Sequence, residues 1–375
     1  MKYQTYKIEF DENYLQLSTE ELVQRIGKCK TVLGEDVCIL GHHYQRDEIV
    51  QFADYVGDSL ALSQQAAKLK TAKIFVFCGV SFMAESADIL SSDDQAVSLP
   101  HLGAVCTMAE MADDQAMAAA IEEIQSISGE KIIPITYVNS TAAVKAVTGL
   151  AGGACCTSGN AANVMAWALE EFGPKGGKIL MLPDQHLGRN TALAMGYKPE
   201  DCVVYDPSLP DGGLSREDVQ RATFVLWKGH CYVHQVFTPA DVAGVRRKYP
   251  GIKVVVHPEC PNEVVRVADA TGSTEQIIRL VTSERGPWAI GTESNLVQRL
   301  GRRVKTSQVV TLSEKQPICR QMYLTDLAHL AWVLDNLTQG RVVNRVTVDP
   351  EVAGQARLAL EQMISIKPVR QVTRR

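Results

Sequence analysis

Apolar runs rich in β-branched and aromatic residues recur along the chain, each closed by polar or turn residues: DVCILGHHY, KIFVFCG, KIIPITYVN, KILMLPD, ATFVLW, IKVVVHPE and PWAIGTE. Helical patterns separate them, and this alternation predicts an α/β protein with parallel sheets. Polar residues able to do chemistry stand where the runs end: His42 and Tyr44, Tyr137 and Asn139, Asp184, His257 and Glu259, and Glu293. Ligands of open α/β sheets bind at those carboxyl ends of the strands.

A longer pattern overlies this one. GDSLALSQQAAKL (57–69), CTSGNAANVMAWAL (156–169) and TGSTEQIIRLV (271–281) each set a Ser or Thr before a helical pattern and follow a polar strand end at His42, Asn139 or His257. An acid comes next (Glu85, Asp184, Glu293), and beyond each acid stands a cysteine: Cys106, Cys231 and Cys319. A unit this long exceeds solenoid repeats and predicts three similar, small, three-layer α/β/α domains related by pseudo-threefold symmetry around a shared centre. The expected boundaries are 1–105, completed by C-terminal helices within 320–375, then 106–230 and 231–319.

Composition narrows the chemistry. The 375 residues are 46% hydrophobic, enough for a substantial core, and the net charge of −5 gives no general attraction to nucleic acid. The one basic excess, Lys367 to Arg375, reads as a solvated end. No apolar run approaches the roughly 20 residues of a membrane span. The start, MKYQTYKIEFDEN, is polar and acidic rather than a secretory leader, so a cytoplasmic location is expected. Ten cysteines, none in a C-x-x-C pair, exclude local zinc-ribbon, ferredoxin and thioredoxin signatures. In WKGHCYVHQV, Cys231 precedes His234 by three residues, the spacing of half a metal site, so any metal group must draw on distant partners.

Taken in order, GHHYQRDEI, GDSLALS, FCGVSFMAESADIL, YVNSTAAVKA, CCTSGNA, LPDQHLGRN, CYVH, HPECPNEVV, GST, GTE and CRQM resemble the quinolinate synthase family over most of the chain. CTMAEM, around Cys106, departs from the residues often found there. CRQM lacks the extra cysteines of some members, so the resemblance carries no redox disulfide over to Cys319. The resemblance implies an enzyme of de novo NAD biosynthesis. Such an enzyme condenses iminosuccinate with dihydroxyacetone phosphate to quinolinate, phosphate and water, and an L-aspartate oxidase supplies the unstable imine. It also implies that Cys106, Cys231 and Cys319 hold one [4Fe-4S] cluster whose remaining iron is open to act as a Lewis acid.

By the same resemblance the substrate set is His42, Ser59, Tyr137, Val138, Asn139, Ser158, His257, Pro258, Glu259 and Thr274. Its acid/base members are Glu259, His42, Tyr44 and His257, with Glu259 the leading base if burial tunes these groups toward neutrality. His234 is either an orienting residue or a structural one. Ser59, Ser158 and Thr274 stand at predicted helix starts, where free N–H groups favour anions; the plain alternative is capping, and S-T-E-Q at Ser273 fits a capping box with Gln276. Cys29, Cys38, Cys78, Cys202 and the pair Cys155–Cys156 read as core residues. Two other readings remain: a divalent-metal aldolase or lyase using His42, His257 and Glu259, or an iron–sulfur sensor or electron carrier with a fourth protein ligand, the place Cys260 would fill.

Overall fold

The computed structural model describes residues 2–173, 176–305 and 307–367; all of the basic tail after Lys367 lies outside the described residues. The chain forms two compact units. One contains the residues up to Cys106 together with Ile318–Asp349, the other Thr107–Pro317 together with the helix Pro350–Ser365. The helices after Cys319 are thus divided, Leu327–Thr338 in the first unit and Pro350–Ser365 in the second.

In the first unit Val37–His42, Tyr55–Gly57, Ile74–Cys78 and Ala96–Ser98 form a parallel sheet, to which Arg345–Val346 adds one antiparallel edge strand. Numbered along the chain, the four parallel strands lie in the order 2-1-3-4. The second unit contains two sheets. One consists of Lys131–Tyr137, Ala154–Cys156, Gly177–Leu182, Cys202–Tyr205 and Phe224–Trp227, in the order 2-1-3-5-4. The other consists of Lys253–Val256, Ala270–Thr271, Trp288–Gly291 and Val309–Thr311, again 2-1-3-4. Both are parallel throughout.

Central strands such as Ile74–Cys78 are buried at every position, as parallel strands covered on both faces must be. Residues from the helices Thr19–Leu33 and Leu327–Thr338 fill the core beside the first sheet. In the second unit Pro350–Ser365 runs along Ala142–Leu150, and Gly149 permits the approach: a Cβ there would lie 2.2 Å from the Gln355 carbonyl oxygen. The protein is therefore mixed α/β with parallel sheets, as the apolar runs predict, and all seven of those runs are strands. No helix among the described residues is long and apolar enough to cross a membrane.

Candidate functional site

The first and third sheets treat the end of their first strand alike. After Val37–His42 the chain turns with the Gln45 N–H donating to the His42 carbonyl at 3.0 Å; after Lys253–Val256 the Cys260 N–H donates to the His257 carbonyl at 3.0 Å. The rings repeat the match, because His42 Nδ1 accepts the Tyr44 N–H at 3.1 Å and His257 Nδ1 accepts the Glu259 N–H at 3.3 Å. A backbone N–H can only donate, so each neutral imidazole carries its proton on Nε2. The His42 ring meets Tyr44 edge to face at 4.8 Å. At the corresponding end of the second sheet, Val138 donates to the Cys156 carbonyl at 2.9 Å, while Asn139 Oδ1 and Ser140 Oγ are buried without a hydrogen-bond partner. An unmet buried polar atom costs about 1–3 kcal/mol, so these two atoms are suited to receiving a ligand group.

The cysteines follow the same module. Of ten, seven are buried; the three that are not are Cys106, Cys231 and Cys319. Each comes after the strand that pairs with the third strand of its sheet, namely Ala96–Ser98, Phe224–Trp227 and Val309–Thr311. One hydrogen bond recurs in all three places. The first residue of the helix following the third strand donates its N–H to the carbonyl two residues before the cysteine: Ser81 to Ala104 at 2.8 Å, Gln185 to Gly229 at 3.0 Å and Ser294 to Pro317 at 2.9 Å. Cys231 and Cys319 then start the short helical turns Tyr232–Gln235 and Arg320–Tyr323. At Gly229 only glycine fits, since a Cβ would lie 2.3 Å from the Pro183 carbonyl oxygen. Burial raises the thiol pKa of the other seven, to about 12 for Cys29, Cys38, Cys78 and Cys155, about 11 for Cys202, and well above the ordinary value for Cys156 and Cys260.

Within the second unit a polar centre assembles from four strand ends. Asp184 caps the helix Gln185–Ala194 through the Leu187 N–H (2.7 Å) and accepts the Cys231 N–H on its other oxygen at 3.1 Å. Glu259 Oε2 lies 2.7 Å from His234 Nδ1, and Tyr137 donates a hydrogen bond to the same carboxylate. The His234 ring stacks on His257 at 4.4 Å, and its Nε2 lies 3.0 Å from Thr292 Oγ1. Burial pushes the Glu259 carboxyl up, but the His257 and His234 rings and the Tyr137 hydroxyl bring it below the usual carboxylate value. Burial and the Glu259 charge raise Asp184 far above its ordinary value, against the pull of the backbone N–H groups it accepts. Burial lowers His257 to about 3, which leaves it neutral. The tuning toward neutrality expected for Glu259 and His257 therefore runs the other way. Imidazoles surround the carboxylate, and apolar packing discharges the ring.

The acids of the three modules differ. Asp184 and Glu293 both cap the helix after the third strand, whereas the corresponding cap in the first unit is Val80 and Glu85 lies inside the helix Ser81–Leu90. Capping in the serine-led segments falls mostly to the residue before the one expected to bind anions. Asp58 caps Ser59–Lys68, and Ser273 forms a capping box with Gln276, as its pattern predicts. Ser158 lies in the turn before Ala161–Phe172, where Asn160 Oδ1 accepts the Thr157 N–H at 2.6 Å. This turn lies against the Ser273 helix start, for a Cβ on Gly159 would be 3.3 Å from Ser273 Oγ.

Asn190 has no role in the sequence reading. It is buried, and its Nδ2 donates at 2.8 Å to both the Pro258 and Cys260 carbonyls, holding the turn on either side of Glu259. Its place in LPDQHLGRN is the only signal, because its partners are backbone atoms of another loop.

The chain matches the Quinolinate synthetase A protein family over residues 24–365. It is 48% identical to the quinolinate synthase of Streptomyces coelicolor over 93% of this chain and 89% of that protein. Similar matches are the quinolinate synthases of Acidobacterium capsulatum, 48% identical over 95% of this chain and 96% of that protein, and Anoxybacillus flavithermus, 47% identical over 94% and 96%.

Proposed function

The chain belongs to the Quinolinate synthetase A protein family, and we propose that it is a quinolinate synthase acting in the cytoplasm. It condenses iminosuccinate, supplied by oxidation of L-aspartate, with dihydroxyacetone phosphate to give quinolinate, phosphate and water. Cys106, Cys231 and Cys319 hold its [4Fe-4S] cluster. The observation that carries this reading is the recurrence of one accessible cysteine, behind one repeated backbone hydrogen bond, in each of three sheets whose first three strands share the order 2-1-3. This recurrence also supports the sheets as three copies of one module. When bound, the cluster supplies an iron without a cysteine ligand, a Lewis acid suited to the loss of hydroxide.

The rest of the work falls to side chains. Ser59, Ser158 and Thr274 supply hydroxyls beside helix starts, which suits a substrate pair bearing one phosphate and two carboxylates. Asn139 and the backbone at Val138 and Pro258 frame the substrate, with the unmet Asn139 Oδ1 accepting a hydrogen bond from it. His42 and His257 donate through Nε2–H, while the ionised Glu259 takes up a proton and Tyr44 and Tyr137 bring hydroxyls to the set. The decisive test is an anaerobic preparation supplied with dihydroxyacetone phosphate and iminosuccinate freshly made from L-aspartate. Quinolinate and phosphate in equal amounts are expected; a preparation full of iron and sulfide that makes neither would overturn the assignment.

A further inference from the structure

We infer that the chain without its cluster contains a second metal site, in which Cys231, His234 and Glu259 bind one zinc-class divalent ion. One ligand atom from each, a sulfur, an imidazole nitrogen and a carboxylate oxygen, lies within 4.8 Å of the other two. The site goes beyond the proposed reaction and uses different geometry, since His234 and Glu259 take no part in holding the cluster.

The second observation is at His234. Its Nδ1 is buried and makes no aligned hydrogen bond, although Glu259 Oε2 is 2.7 Å away. The ring has little freedom to improve this. Nε2 is tied to Thr292 Oγ1 at 3.0 Å, and stacking on His257 with an interplanar angle of 19° fixes the plane. A divalent ion that takes Nδ1 and Oε2 as ligands displaces the proton between them and leaves Nε2–H donating to the threonine. The Cys231 sulfur completes the set and loses its proton to solvent on binding. One sulfur, one nitrogen and one oxygen with a position left for water suit tetrahedral zinc and disfavour the oxygen-seeking magnesium and calcium ions. The outer partners fit as well: Asp184 accepts the Cys231 N–H, Thr292 holds His234 and Tyr137 bonds to Glu259. Cys231 serves only one group at a time, so zinc in this site blocks assembly of the cluster. That consequence rests on the preceding reading, whereas the ion site does not.

The test is a cobalt(II) titration of the cluster-free full chain, followed by absorbance. One equivalent should give a near-ultraviolet thiolate-to-cobalt band and the intense visible bands of a four-coordinate ion, both removed by zinc. Cys231→Ser should lose the thiolate band, and Cys260→Ser should keep every feature. Loss of outer partners alone costs metal sites about 10–100-fold, so His234→Ala and Glu259→Gln should each weaken binding by about a hundredfold or more. Wild-type protein without a thiolate band would overturn the site whatever the variants do, and so would an unchanged affinity in His234→Ala. Preloaded zinc should slow cluster reconstitution several-fold in the wild type and not in His234→Ala; equal rates in the wild type would overturn the competition. A full cluster in Cys231→Ser would sink the cluster reading while leaving the cobalt result standing.

Discussion

The loop Gly229–Cys231 and the turn His257–Cys260 each set a cysteine beside a buried carboxylate, but they treat the sulfur in opposite ways. Cys260 is fully buried, with its Sγ against the Gly291 carbonyl at 3.7 Å, its N–H on the His257 carbonyl and its own carbonyl held by Asn190. Burial keeps it a thiol. Cys231 is half-exposed at the start of a short helical turn, with Asp184 on its N–H. Closeness to an acid thus says little about how accessible a cysteine is. Position in the sheet decides, because the loop after the strand beside the third strand leaves its cysteine accessible, while the turn after Lys253–Val256 presses His257–Cys260 into the core.

The largest expected effect breaks this comparison directly. Cys231→Ala, Cys106→Ala and Cys319→Ala should each abolish quinolinate formation, whereas Cys260→Ser should remain active in the same anaerobic assay. Activity in any of the three alanine variants would remove that residue from the cluster site. Glu259→Gln keeps the shape of the His257–Cys260 turn but removes the proton acceptor, so kcat should fall by roughly a hundredfold or more with the cluster intact. Near-normal turnover would move the base to Tyr44 or a histidine.

Smaller changes are expected where hydroxyls meet charge. Ser59→Ala and Ser158→Ala should each raise KM by on the order of tenfold, since a hydrogen bond to a charged group is worth about 1.5–3 kcal/mol. Unchanged kinetics with lower thermal stability would show these hydroxyls to be structural. The smallest effect belongs to Ser273→Ala, which removes the capping-box acceptor and should cost about 1 kcal/mol in urea unfolding. No loss there would mean that Gln276 caps the helix unaided.

The long strands were legible because each is a continuous apolar run ending in chemistry-bearing residues. The three-residue strands Tyr55–Gly57, Ala96–Ser98, Ala154–Cys156 and Val309–Thr311 were not, since three residues carry no periodicity. Two of these short strands, Ala96–Ser98 and Val309–Thr311, nevertheless lead to the accessible Cys106 and Cys319. His234 shows the same limit. Its spacing from Cys231 is visible in the sequence, but Glu259 and Thr292 reach it only through the packing of separate strand ends. The direction of the Glu259 shift was hidden as well, because burial alone raises a carboxyl and the opposing imidazoles come from positions that fold together.

Iron and acid-labile sulfide per chain, measured anaerobically in the wild type, the three alanine variants and Cys260→Ser, test the central claim most directly. About four of each are expected in the wild type and in Cys260→Ser, as a [4Fe-4S] cluster requires, and almost none in Cys106→Ala, Cys231→Ala or Cys319→Ala. A full complement in any alanine variant, or its loss in Cys260→Ser, would contradict the claim that position in the repeated sheet module selects the ligands.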